Sequence, residues 1–102
     1  MNDKFLKLAS KTLNEIFEKF NDYNSDLEID FVEKNITIET VEEKVFVISI
    51  HEPTNQIWLS SPISGAHHFS YDDSNKKNWV STRDKSIEIF SILKKEIDSE
   101  IR

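Results

Sequence analysis

Carboxylates at helical and then strand spacing are the residues of this chain best placed to do chemistry. Glu15, Glu18 and Asp22 stand three and four positions apart, which puts them on one face of a helix. A few residues later Glu28 and Asp30 alternate with Leu27, Ile29 and Phe31, so they project from the wet face of a strand. Asp26 lies just before them and Glu33 just after. If helix and strand lie side by side, the two sets join into one negative ridge. Like charges held close repel, and a bound cation relieves the repulsion. Oxygen-only donors suit hard cations such as ferric iron, magnesium, calcium and manganese. With no imidazole or thiolate in the set, ferrous iron is expected to bind weakly and with little selectivity. An ordinary solvated helix face carries such charge runs too.

A second constellation surrounds Trp58. In Gln56-Ile57-Trp58-Leu59-Ser60 the period is two, and if Ile57 and Leu59 point inward, Trp58 points outward between Gln56 and Ser60. Tryptophan is enriched at interface hot spots, so Trp58 is a candidate partner anchor, with Ser49, His51 and His68 as its expected neighbours. Trp79 is expected in the core. His67 and His68 are adjacent and must face opposite sides of a strand, whereas His51 and His68 could approach across a sheet as a minor metal site. A Ser–His–Asp hydrolase would need a Gly-rich nucleophile turn, which the sequence lacks. A di-iron bundle would need paired Glu-x-x-His motifs, also missing. The chain is therefore not expected to be an enzyme.

The elements that must position these residues are legible from periodicity. From Asp3, a candidate N-cap, to Phe20, the apolar residues Phe5, Leu8, Ala9, Leu13, Ile16, Phe17 and Phe20 form a helical stripe. Asn21 to Ser25 is turn chemistry. Strands are predicted over 27–31, 36–40, 45–50, 56–60, 67–71 and 78–81, with turns at 34–35 and 42–44, Pro53 as an interruption and a loop from Pro62 to Gly65. A last helix is predicted from Asp84, as its cap, to about Ile101, with Ile87, Phe90, Leu93, Ile97 and Ile101 on one stripe. Short connections imply an antiparallel meander. The predicted class is α+β: one domain over 1–102, a two-layer α/β sandwich of about five to six strands, both terminal helices on one face and the other face open.

Composition narrows the partners. The 102 residues carry a formal net charge of −6, which argues against nucleic acid and for basic proteins or cations. There is no cysteine, so disulfides, thiolate nucleophiles and clusters held by the chain's own thiolates are excluded. No run approaches a membrane span and no signal pattern opens the chain, so a cytoplasmic protein is expected.

The run Asn55-Gln56-Ile57-Trp58-Leu59-Ser60-Ser61-Pro62, set in a helix–meander–helix order, resembles the frataxin family. The resemblance covers most of the chain: Phe5, Leu8, Ala9 and Ile16 in the first helix, Asp26 to Phe31, His68-Phe69, and Asn78-Trp79-Val80. The short N-terminus is similar to the bacterial CyaY-type members. The resemblance implies an accessory protein of iron–sulfur cluster assembly that binds Fe(II) and Fe(III) weakly through its acidic ridge. It also implies docking on the cysteine desulfurase–scaffold complex as iron donor or regulator, by a monomer without nucleic-acid or membrane partners. The family's ridge matches onto Glu18, Asp22, Asp26, Glu28 and Asp30, whereas Phe17, Asn21 and Asn24 stand where some members are acidic. Ser49, His51 and His68 stand where some relatives carry amide and arginine groups. A metal-independent modulator of the desulfurase would use the same residues, and a ferroxidase is a third, weaker reading.

Overall fold

The computed structural model describes residues 3–74 and 78–101. Helix α1 spans Asp3–Asn21, and six strands follow: β1 Glu28–Val32, β2 Asn35–Glu39, β3 Val45–His51, β4 Gln56–Ser61, β5 Gly65–Asp72 and β6 Asn78–Ser81. Helix α2, Ile89–Ser99, closes the chain. The strands form one sheet in the order β1-β2-β3-β4-β5-β6, every neighbouring pair antiparallel.

Period-two alternation in the strands and period-3.6 stripes in the helices bury one common core. Ile36, Ile38, Phe46, Ile48, Ile57, Leu59 and Phe69 meet Ala9, Leu13, Ile16 and Phe20 of α1 and Ile89, Leu93 and Ile97 of α2. Trp79 is also core, only 2% exposed. Its indole Nε1 donates to Thr12 Oγ1 at 2.8 Å, and Phe5 packs edge-on against it with ring centroids 5.9 Å apart. The fold is the α/β sandwich predicted, with no element over the opposite sheet face among the described residues.

Turns follow local chemistry. Glu33, Glu43 and Asn55 take positive φ values of 56°, 65° and 55°, closing the turns after β1, β2 and β3. Pro53 lies in a single 3-10 turn, Glu52–Thr54, between β3 and β4. The turn after β4 is tied down by Ser61, whose hydroxyl accepts from the backbone of Ile63 and Ser64 and donates to Glu96 Oε1 of α2 at 2.6 Å.

Two boundaries differ from expectation. The sequence places Gly65 in a loop; in the structure it opens β5, paired with Ser61 at a φ of 90° that suits a residue without a side chain. The last helix was predicted from Asp84, but it begins at Ile89. Asp84 instead caps a turn, taking both the backbone N–H and the hydroxyl of Ser86 on Oδ1. The next residues pair with β6: Ser81 N–H donates to the Ile87 carbonyl at 2.9 Å, and Glu88 bridges Val80. A segment hydrogen-bonded to a strand edge cannot also coil. Ile87 fits the helical stripe by spacing, but its backbone is already committed to the sheet.

Candidate functional site

The register of the meander gathers the residues around Trp58. Asn35, Ser49, Trp58 and His68 lie opposite one another on β2 to β5, while His51 pairs with Gln56 one row away. Ile57 and Leu59 are buried, which turns Gln56, Trp58 and Ser60 to the open face. There the Trp58 indole is half-buried, because two imidazoles lie flat on it. His51 stacks at a centroid separation of 3.7 Å and 12°, and His68 at 4.2 Å and 13°. The indole lies between the two histidines, so they cannot share one metal ion as a pair of ligands. His67 faces the helix side, with Nε2 2.7 Å from the Ser64 hydroxyl and its ring stacked toward Phe69.

A chain of hydrogen bonds fixes this stack. Trp58 Nε1 donates to Gln56 Oε1 at 2.8 Å, and the Thr54 hydroxyl donates to the same oxygen at 3.1 Å. Having spent its proton there, Thr54 Oγ1 can only accept from His51 Nδ1, 2.8 Å away. The 3-10 turn holding Thr54 is anchored in turn by an ion pair between Glu52 and Lys34. Sequence reasoning found Gln56, Trp58, His51 and His68 by parity. It missed Thr54, which belongs to a turn and carries no periodic signal.

The carboxylates are arranged differently from one continuous ridge. Helix α1 and strand β1 do pack together, and between them Phe17 lies against Phe31, with ring centroids 5.6 Å apart. Glu15 is two residues from Phe17, about 200° around the helix. It lines a depression of about 180 Å³ with Tyr71, Asn78, Trp79 and Phe90, on the flank away from β1. Glu18 and Asp22 are exposed on the outer side of α1 and its end, with Lys11 and Lys19 interleaved. Asp26, Glu28 and Asp30 are exposed on the edge strand and its approach. The apolar Phe17–Phe31 contact thus separates a helix line from a strand line of acids. The register adds a carboxylate that the sequence did not single out: Glu39 lies directly opposite Glu28. Among the described residues, no three His, Asp or Glu side chains converge as a ready metal site. What remains is a set of exposed, separate oxygen donors, suited to a passing cation.

Beside these lines a small polar network joins the two helices. Asp98 Oδ1 accepts from Tyr23 Oη at 2.6 Å and Oδ2 from Lys94 Nζ at 2.8 Å. The hydrogen bond from Lys94, then that from Tyr23, lowers the Asp98 pKa, whereas the bond to Asp98 raises those of Tyr23 and Lys94.

The structure is a two-helix, two-layer sandwich with a bare antiparallel sheet face, a tryptophan at the centre of that face and acidic lines at its edge. The chain belongs to the frataxin family: the Frataxin-like domain matches residues 1–102. It is 30% identical to mitochondrial frataxin of Arabidopsis thaliana over 103 residues, covering 95% of this chain and 54% of that protein. It is 34% identical to the mitochondrial frataxin homolog of Schizosaccharomyces pombe over 87 residues, covering 80% of this chain and 54% of that protein. The chain thus spans about half the length of these relatives. Among solved structures it is similar to frataxin from Psychromonas ingrahamii, with a TM-score of 0.84 and 26% identity over 97% of this chain and 90% of that one. It is also similar to trimeric frataxin of Saccharomyces cerevisiae complexed with ferrous iron, with a TM-score of 0.79 and 26% identity over 92% of this chain and 85% of that one. No described helix is long and apolar enough to cross a membrane.

Proposed function

We propose that this chain is an iron-handling accessory protein of iron–sulfur cluster assembly, acting as a cytoplasmic monomer that docks on the cysteine desulfurase–scaffold complex. The observation that carries the docking half is Trp58, held rigidly on an open sheet face in a chain of the frataxin family. A pre-ordered aromatic loses little further side-chain freedom on binding, and so suits an anchor. Ser49, His51, Gln56, Ser60 and His68 supply the polar surround. Iron is cargo in this reading, held weakly and reversibly by Glu15, Glu18, Asp22, Asp26, Glu28 and Asp30. The ferrous iron complex of the yeast relative supports that half.

The reading assigns binding rather than catalysis to the chain, and no acceleration of ferrous oxidation over buffer is the expected result. A second reading, regulation of the desulfurase without metal, is favoured by one observation: the Phe17–Phe31 contact divides the acids into two lines. An assembly assay with purified desulfurase and scaffold, run with and without iron, separates the two. The variant Glu18→Gln, Asp22→Asn, Glu28→Gln, Asp30→Asn is expected to dock normally and lose its effect only when iron is present. Loss of docking in the absence of any metal overturns the iron-handling reading in favour of the second.

A further inference from the structure

Neither the core nor the carboxylates require an indole clamped between two imidazoles. We propose that this stack makes docking on the open face proton-dependent, tight when His51 and His68 are neutral and weakened when they are protonated. The inference rests on the reading of this face as the docking surface.

The hydrogen-bond chain decides which atoms respond. His51 carries its proton on Nδ1, given to Thr54 Oγ1, so its Nε2 is an acceptor in the neutral ring. Among the described residues Nε2 has no hydrogen-bond partner, and the His68 side chain makes only its stacking contact with Trp58. Both imidazoles therefore keep acceptor capacity for a docking molecule. Protonating His51 converts Nε2 from acceptor to donor without breaking the chain, because Nδ1–H donates in both states. The stack itself survives, since an imidazolium over an indole face gains a cation–π attraction. The face thus keeps its shape while its charge and hydrogen-bonding sense change.

The charged groups around the stack leave that change visible. Lys34 and Glu52, paired with each other, lie at the His51 end. Asp72 shares the open face of β5 and accepts hydrogen bonds from Ser74. Arg83 follows Thr82, whose N–H donates to the His68 carbonyl. Glu39 on β2, and Glu28 and Asp30 on β1, lie further across the same face. None of these carboxylates is hydrogen-bonded to either imidazole among the described residues. A partner for a chain of net charge −6 is basic and rich in donors. Two new positive charges, and a donor where an acceptor stood, oppose such a partner. The bound state therefore holds fewer protons than the free state. Affinity then falls once pH is low enough to protonate the two imidazoles.

The test measures affinity for the desulfurase–scaffold complex from pH 8.0 to 5.5 at fixed ionic strength. Three chains are compared: wild type, His51→Gln/His68→Gln and Trp58→Ala. Wild-type affinity is expected to fall about tenfold or more, the loss that exclusion of one to two protons produces. The double variant is expected to vary much less with the same partner. A wild-type titration that stays flat, or a double variant that falls in parallel, overturns the inference. Trp58→Ala binding as tightly as wild type at pH 8.0 overturns the docking surface itself, a separate failure. NMR signals of the two imidazoles, followed in free and complexed wild type, need no variant. Their titration midpoints are expected to move down in the complex, and unchanged midpoints also overturn the inference.

Discussion

The two tryptophans allow a controlled comparison, because the same substitution is made in one protein on opposite faces of one sheet. Trp58→Ala removes two ring stacks, each worth about 0.5–1.5 kcal/mol beyond area, and one indole hydrogen bond of about 0.5–1.5 kcal/mol. These contributions overlap, and the flanking imidazoles can close on the vacated space, so a net loss of about 1–2 kcal/mol is expected. Trp79→Ala removes a side chain that is 2% exposed, leaves the Thr12 hydroxyl without its donor and strips Phe5 of its edge-on neighbour. Large-to-small changes of buried aromatics cost about 3–5 kcal/mol. With slopes of about 1–3 kcal/mol per molar urea, the two unfolding midpoints are expected to differ by about 1 M or more. Far-UV circular dichroism is the appropriate probe, since each variant loses one of the two tryptophans. Binding to the desulfurase–scaffold complex is measured on the same samples, and Trp58→Ala is expected to lose affinity while remaining folded. If Trp58→Ala unfolds as readily as Trp79→Ala, Trp58 is a core residue and the assignment of faces fails.

Two further predictions concern charge. The Asp98 pKa is depressed from its ordinary 3.8, so the network's stabilisation is present above that value and is lost as pH falls through the folded-state value. Asp98→Asn should therefore be less stable than wild type at pH 7, with the difference shrinking as pH is lowered below 3.8, checked by thermal unfolding; a pH-independent difference would refute the network's role. Phe17→Glu would join the helix and strand carboxylates. Ferric iron binding measured by titration calorimetry is expected to tighten several-fold, at a cost of about 1 kcal/mol from the lost Phe31 contact; unchanged affinity would show that the division of the acids does not matter.

Much of this architecture was legible in periodicity alone. The switch from the three-and-four spacing of Phe5 to Phe20 to the alternation of Leu27 to Phe31 placed α1 and β1. The parity of Ile57 and Leu59 turned Trp58 outward. What escaped was decided by backbone pairing at a distance. The start of α2 depends on the hydrogen bond from Ser81 to the Ile87 carbonyl, which no spacing of side chains encodes. The position of Glu39 opposite Glu28 depends on the length of a two-residue turn. The division of the acidic lines depends on how α1 is rotated over the sheet, and the phenyl ring of Phe17 settles that rotation. Thr54 lies in a turn, where residues have no partners until the fold supplies them.

The bond between Thr12 and Trp79 spans 67 positions of sequence. At about 5–20 residues per second of synthesis, several seconds pass between the appearance of the two residues. The intervening hairpins can zip in order as they emerge, each strand pairing with the one just made. The first half of α1 has to wait for β6, because Thr12 accepts from Trp79 and Phe5 packs edge-on against it. The first half of α1 is therefore locked in place late, and the emergence of β6 rather than that of α1 itself sets the moment at which this part of the sandwich closes.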